Sequence, residues 1–167
     1  MRRLVSFLLA LSLALSLVGC AKDKRVEYCE LGIVLPREFE PYEADGFHAA
    51  YSDGVSFVGI TRYSFVDCVE NGLLTTWTPT RFAEVYLEMM EREVDEGIRR
   101  HGDVPYFSYT MESSSGEELM YMPTFYRTQY AYFVITFITP KGRETSGRVE
   151  FLGYTETVYI INTESDK

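Results

Sequence analysis

Positive charge is scarce in this chain of 167 residues: 16 Lys and Arg stand against 25 Asp and Glu, a formal net charge of −9. A basic face able to neutralise phosphates is not to be expected from it, which argues against nucleic acid as a partner. Histidine is nearly absent, with only His48 and His101. Neither has the spacing to cysteine that a four-ligand zinc site needs, and neither accompanies a Ser or Cys in a recognisable nucleophile elbow. Glycine-rich loops that cradle phosphate are missing, as are internal repeats and low-complexity tracts. Glu91, Glu93, Asp95 and Glu96 form an acidic run without the alternating oxygen ligands and central glycine of a calcium loop, so they read as a solvated helix face. The expectation is a non-enzymatic protein with no metal and no cofactor.

What the chain does have begins at its N-terminus. Arg2 and Arg3 precede an uncharged run from Leu4 to Val18, and Cys20 follows directly after Gly19, the pattern of an export signal. A transmembrane anchor needs roughly 20 apolar residues, more than this run holds before Lys22, Asp23, Lys24 and Arg25. An ordinary secretory signal would cut after a small-x-small pattern, of which Leu17-Val18-Gly19 is a poor example. Leu17-Val18-Gly19-Cys20 resembles the lipobox of bacterial lipoproteins, in which signal peptidase cuts before the Cys and its sulfur carries a diacylglyceryl group. The resemblance implies a signal peptide over 1–19, recognition through Leu17, Val18 and Gly19, lipid attachment at Cys20, and a place on the extracytoplasmic face of the cell membrane. Two or three acyl chains at about 0.8 kcal/mol per buried methylene would hold such a protein stably. From Ala21 to Val26 the chain spans at most roughly 20 Å. Lys22, Lys24 and Arg25 then serve either as a polar spacer or as an attraction to anionic headgroups.

Losing Arg2 and Arg3 with the leader takes the formal charge from −9 to −11. The remaining chain suits one domain over residues 28–162, with a tether at 20–27 and a tail at 163–167. With Cys20 acylated, Cys29 and Cys68 are left as a candidate disulfide. In an up-down-up meander, however, they would fall at opposite ends of the sheet, about 15 to 20 Å apart by strand rise.

Cys29, Leu31, Ile33 and Leu35 alternate as a strand that Pro36 ends. Phe47–Ser52 and Val55–Tyr63 flank Asp53-Gly54 as a hairpin. Ser64 to Trp77 reads as a loop. Thr78-Pro79 opens a helix on which Phe82, Val85, Tyr86, Met89, Met90, Val94 and Ile98 recur at helical spacing, with Arg99, Arg100 and His101 at its C-terminal end and Gly102 to stop it. Val104–Met111, Leu119–Arg127 and Ala131–Thr139 are strands rich in aromatic and β-branched residues. Pro123 suggests an edge or a bulge. Arg148–Thr157 reads as a second helix with Val149 and Leu152 inward, and Val158–Asn162 as a short strand.

The expected class is therefore α+β: a mainly antiparallel six-stranded sheet in β-β-β-α-β-β-β-α order, covered by helices. That order, with Glu30-Leu31-Gly32-Ile33-Val34-Leu35-Pro36, the Asp53-Gly54 hairpin and Thr78-Pro79 before Phe82, resembles the PsbP/Mog1-type sandwich. Phe125-Tyr126-Arg127-Thr128-Gln129-Tyr130-Ala131-Tyr132-Phe133 is similar to a strand-turn-strand of Firmicutes lipoproteins associated with this fold. The resemblance implies a scaffold used by assembly factors, binding proteins and accessory subunits, and carries over no catalytic site.

Tyr121, Phe125, Tyr126, Tyr130 and Tyr132 form the candidate binding surface, with core packing as the competing account of the same residues. The functional expectation is a binding or accessory lipoprotein that contacts an envelope protein or a small ligand. The alternative is an extracytoplasmic, hydrolase-like enzyme, which asks for His48 or His101 within hydrogen-bond reach of a carboxylate or hydroxyl.

Overall fold

A computed structural model describes residues 23–92, 94 and 96–161. Among the described residues ten strands run β1 Lys24–Tyr28, β2 Leu31–Leu35, β3 Glu40–Pro41, β4 Ala49–Ser52, β5 Phe57–Ser64, β6 Glu96–His101, β7 Val104–Glu112, β8 Glu118–Arg127, β9 Ala131–Pro140 and β10 Tyr159–Ile160. The helices are α1 Phe65–Glu70, α2 Pro79–Met90 and α3 Glu144–Thr155, the last entered through a 3₁₀ turn at Lys141–Arg143. All pairings are antiparallel. The strands form a seven-stranded sheet, β3-β4-β5-β9-β8-β7-β6, and a separate three-stranded sheet, β1-β2-β10. The antiparallel α+β class holds, but the single six-stranded sheet becomes two.

β9 is the middle of the large sheet, and its residues from Ala131 to Thr139 are all buried. Period-two alternation sends them to both faces, so both faces must be covered. On one face Val58, Ile60, Met120, Met122, Phe133, Ile135 and Phe137 meet Val26, Leu31, Ile33 and Leu35 of the small sheet, together with Phe39 and Phe151 of α3. On the other, Phe107, Tyr109, Phe125, Tyr132 and Val134 meet Cys68 of α1 and Phe82 and Ala83 of α2.

Several local expectations are revised. The strand expected from Cys29 to Leu35 is the second half of a hairpin, with Cys29 and Glu30 as its two-residue turn. Cys29 has φ +51° there, a left-handed conformation that an L residue adopts at some cost. β1 therefore starts at Lys24, inside the segment expected to be tether. Residues 1–22 and 162–167 lie outside the described residues, so the leader, Leu17, Val18, Gly19, Cys20 and the C-terminal tail do too.

The strong helix starts as expected. Thr78 Oγ1 accepts from the Arg81 amide at 3.2 Å, and Pro79 occupies the first turn. It ends twelve residues on at Met90, with Glu91 left-handed at φ +49°. Glu96–His101 is instead an edge strand on β7. Val94 and Ile98 still pack beside α2 in the same cluster, so their spacing fits a turn into a strand as well as another helical turn. Arg99 and Arg100 pair with Glu96 and Asp103 rather than with a helix end.

The expected loop after Ser64 contains α1, which Ser64 caps by accepting from the Asp67 amide at 3.1 Å. Pro123 lies in an interior strand: it pairs with Thr136 on β9, while the β7 ladder has no pair at Pro123 between Tyr106–Thr124 and Tyr109–Tyr121. The missing N–H is accommodated by a gap in one ladder rather than by an edge. α3 starts at Glu144 and presents Gly147, Phe151 and Thr155 to the core, whereas Val149 is 71% exposed. Gly147 decides that rotation, since a Cβ there would come within 2.8 Å of Thr139 Cγ2.

Candidate functional site

Four of the five aromatic residues expected to form a surface are divided between the two cores. Phe125 and Tyr132 are fully buried beneath α2. Phe82 lies flat on Tyr132 at 4.2 Å between ring centroids, and Tyr86 meets Phe125 edge-on at 5.3 Å. The Tyr132 hydroxyl lies 3.0 Å from both the Leu74 and Trp77 carbonyls, which share its one proton, and so ties β9 to the segment joining α1 and α2. Tyr121 is half-buried and stacked on Tyr109 at 5.2 Å. Tyr126 turns to the opposite face, where its buried hydroxyl has no partner among the described residues. Only Tyr130, at the tip of the β8–β9 hairpin, is exposed. Alternation within two paired strands makes this unavoidable: residues adjacent in sequence take opposite faces.

Cys29 and Cys68 are free thiols, so the candidate disulfide is not formed. Cys29 sits exposed in the small-sheet turn on one side of the large sheet. Cys68 is buried on the other side, in α1, where burial and then Asp67 push its thiol above the ordinary value.

One grouping of polar and reactive side chains was not legible in the sequence. Glu30, next to Cys29 in the β1–β2 turn, forms a two-pronged ion pair with Arg62 of β5: Nε to Oε2 at 3.0 Å and Nη2 to Oε1 at 2.7 Å. Both side chains are largely buried, at 12% and 24% exposure. Arg62 follows Val58 and Ile60 on the inward phase of β5, so its stem packs as they do while its guanidinium lies 6.0 Å from the centre of the Phe133 ring. The Arg62 hydrogen bonds hold the Glu30 carboxyl below the usual carboxylate range, and the same bonds raise Arg62. The one sequence signal was a charged residue in the core phase of a strand, without anything to name its partner.

His48 borders this pair. Its backbone amide donates to the Ile60 carbonyl at 2.9 Å, and its Nδ1 accepts from the Arg62 backbone amide at 3.1 Å. A neutral ring held this way carries its proton on Nε2. Tyr28 lies beside it, 6.1 Å between ring centroids, and burial first, then Cys29, raises the Tyr28 phenol. An open depression of about 460 Å³ adjoins His48, lined also by Tyr42, Glu43, Asp45, Phe47 and Ala50. Chemically this corner offers hydrogen-bond donors, a carboxylate rim and aromatic edges. It suits recognition of a polar group, and its ion pair is already satisfied internally.

His101, on edge strand β6, brings Nε2 within 2.8 Å of Glu156 Oε1 just beyond α3. Both are surface residues, and no hydroxyl or thiol bonds either of them among the described residues. No cluster of three or more His, Cys, Asp or Glu that could hold a metal occurs among the described residues. No helix there is long and apolar enough to cross a membrane.

No protein-family model and no curated protein matches the chain by sequence. Solved structures match in shape. Cyanobacterial PsbP (CyanoP) from Synechocystis sp. PCC 6803 aligns with a TM-score of 0.51 and 10% identity over 86% of this chain and 95% of that one. The Ran-binding protein Mog1p of Saccharomyces cerevisiae gives 0.51 and 11% identity over 86% and 98%. The chain has a PsbP/Mog1-type fold. A Bacteroides thetaiotaomicron VPI-5482 structure aligns with a TM-score of 0.55 and 12% identity over 88% of this chain and half of its own. At such identities the PsbP/Mog1 likeness is one of fold, and function has to be argued from this chain's own residues.

Proposed function

We propose that the protein is a membrane-tethered extracytoplasmic lipoprotein, anchored through Cys20, that serves as a non-enzymatic binding or accessory module for an envelope protein or a small polar ligand. The observation that carries this is Leu17-Val18-Gly19-Cys20 placed four residues ahead of the first strand residue, Lys24. Three residues, Ala21 to Asp23, span about 10 Å at full extension, so the domain would ride directly on the headgroups. The depression beside His48, with its carboxylates and imidazole, is the surface assigned to a polar ligand. The competing reading, a hydrolase-like enzyme, draws on the His101–Glu156 contact, but that pair has no nucleophile bonded to it among the described residues.

Labelling with a radioactive fatty acid tests the anchor: label in the wild type and none in Cys20→Ser is the expected result. Absence of label from both overturns it. For the binding role, ligand- or partner-induced stabilisation of the folded protein is expected to disappear in His48→Ala. A turnover activity abolished by His101→Gln would favour the enzyme instead.

A further inference from the structure

β1 is the longest regular sheet edge without a partner strand among the described residues. The two ends of the large sheet are β3, two residues long, and β6, whose ladder is broken by a register shift between Glu96 and Arg99. The other edge of the small sheet is β10, also two residues. The two-residue turn makes Tyr28 and Leu31 the hydrogen-bonded closing pair of the β1–β2 hairpin. Alternation then turns the backbone groups of Lys24, Val26 and Tyr28 toward β2, and those of Arg25 and Glu27 outward.

We infer that this edge is a self-association surface, on which β1 pairs antiparallel with β1 of a second copy of the chain about a two-fold axis at Val26. In that register Arg25 of each copy stands opposite Glu27 of the other, and the outward N–H and C=O groups of both residues make four inter-chain hydrogen bonds. The side chains agree with the backbone. Arg25 and Glu27 share the exposed face of the strand, so each cross-strand pair joins opposite charges, twice per dimer.

Shifts by two residues are the neighbouring registers that still oppose the outward groups, and they set Arg25 against Arg25 or Glu27 against Glu27. Charge therefore selects one register. Charges on an edge strand ordinarily block pairing. Here their order, basic then acidic around a central Val, is self-complementary. Glu27 already accepts from the Tyr159 hydroxyl at 2.8 Å through Oε1, which fixes the carboxylate and leaves Oε2 for the second copy. Pairing would extend the three-stranded sheet into six strands across the axis. The two Lys24 ends would lie about 13 Å apart along the strands, so both chains can approach one membrane.

The inference does not depend on the lipid anchor, and its test separates the two. The full-length chain, extracted into detergent, is followed by sedimentation across a concentration series, with Cys20→Ser in parallel. A reversible dimer is expected in both. Arg25→Glu and Glu27→Lys should each weaken it by about tenfold or more, since each replaces two attractions with two repulsions. The double variant Arg25→Glu/Glu27→Lys should regain most of the affinity, which a merely misfolded chain would not do. Arg25→Pro, which removes an outward N–H and leaves the β2 ladder intact, should give a folded monomer by circular dichroism. A wild type that stays monomeric throughout, or a double variant no better than the single ones, overturns the proposal. So does a dimer whose cross-links map to β6 instead.

Discussion

The two faces of the large sheet are buried by different means. The helix-side cover comes from one continuous stretch, α1 and α2 within residues 65–90, and its contacts are mostly aromatic: Phe82 alone meets Tyr63, Tyr86, Phe125 and Tyr132. The opposite cover is assembled from both ends of the domain, with β1 and β2 from residues 24–35 and α3 and β10 from residues 144–160. Its contacts are mainly aliphatic, and its rim is fastened by polar links: Glu30 to Arg62, Val34 to Thr157 in both directions, and Tyr159 to Glu27. A cover made from a local segment can rely on one side chain per turn. A cover joined from distant segments needs fasteners that fix how its pieces meet, because loop closure costs entropy before any contact repays it.

Truncations should show that difference most strongly. Phe82→Ala is expected to cost about 4 kcal/mol and Phe151→Ala about 3 kcal/mol, the first being larger because more rings lose a partner. Urea unfolding measures both, and a Phe151 effect above that of Phe82 would reverse the ranking of the two faces. Arg62→Met leaves Glu30 largely buried without its partner and should cost about 2 kcal/mol at neutral pH. The sign with pH follows from Glu30. Its pKa is lowered in the fold, so the pair's contribution is complete above the unfolded value and fades as pH falls through the folded one. The stability gap between wild type and Arg62→Met should therefore narrow below about pH 4. Tyr126→Phe is the smallest effect: removing a buried hydroxyl that has no partner should leave stability unchanged or raise it by about 0.5 kcal/mol. A loss above about 1 kcal/mol would show that the hydroxyl is satisfied after all.

The locally covered face was the legible one. Thr78-Pro79 announced the start of α2, and the strands from Val104 to Thr139 read correctly because their alternation and turn residues are written side by side. The other face was hidden. Nothing in Leu31–Leu35 tells that it pairs with residues 24–28 on one edge and 159–160 on the other, and Glu30 is an ordinary turn carboxylate until Arg62 arrives. The end of α2 was misjudged for a related reason: Val94 and Ile98 satisfy helical spacing, yet β7 offers Glu96–His101 a ladder of backbone bonds that an extended helix would forgo. The aromatic surface gave way to core packing: alternation sends Tyr121, Phe125, Tyr126 and Tyr132 to both faces of the paired strands, both faces are covered, and only Tyr130 in the turn stays exposed.

By itself the sequence determined the antiparallel α+β class and the capped start of α2, because these rest on periodicity and caps within a few residues of one another. Tertiary structure alone decided that the sheet divides into seven strands and three, and that Glu30, His48 and Arg62 share a corner. Those outcomes depend on which distant segments bury each other's apolar faces, and that choice is made by the whole core.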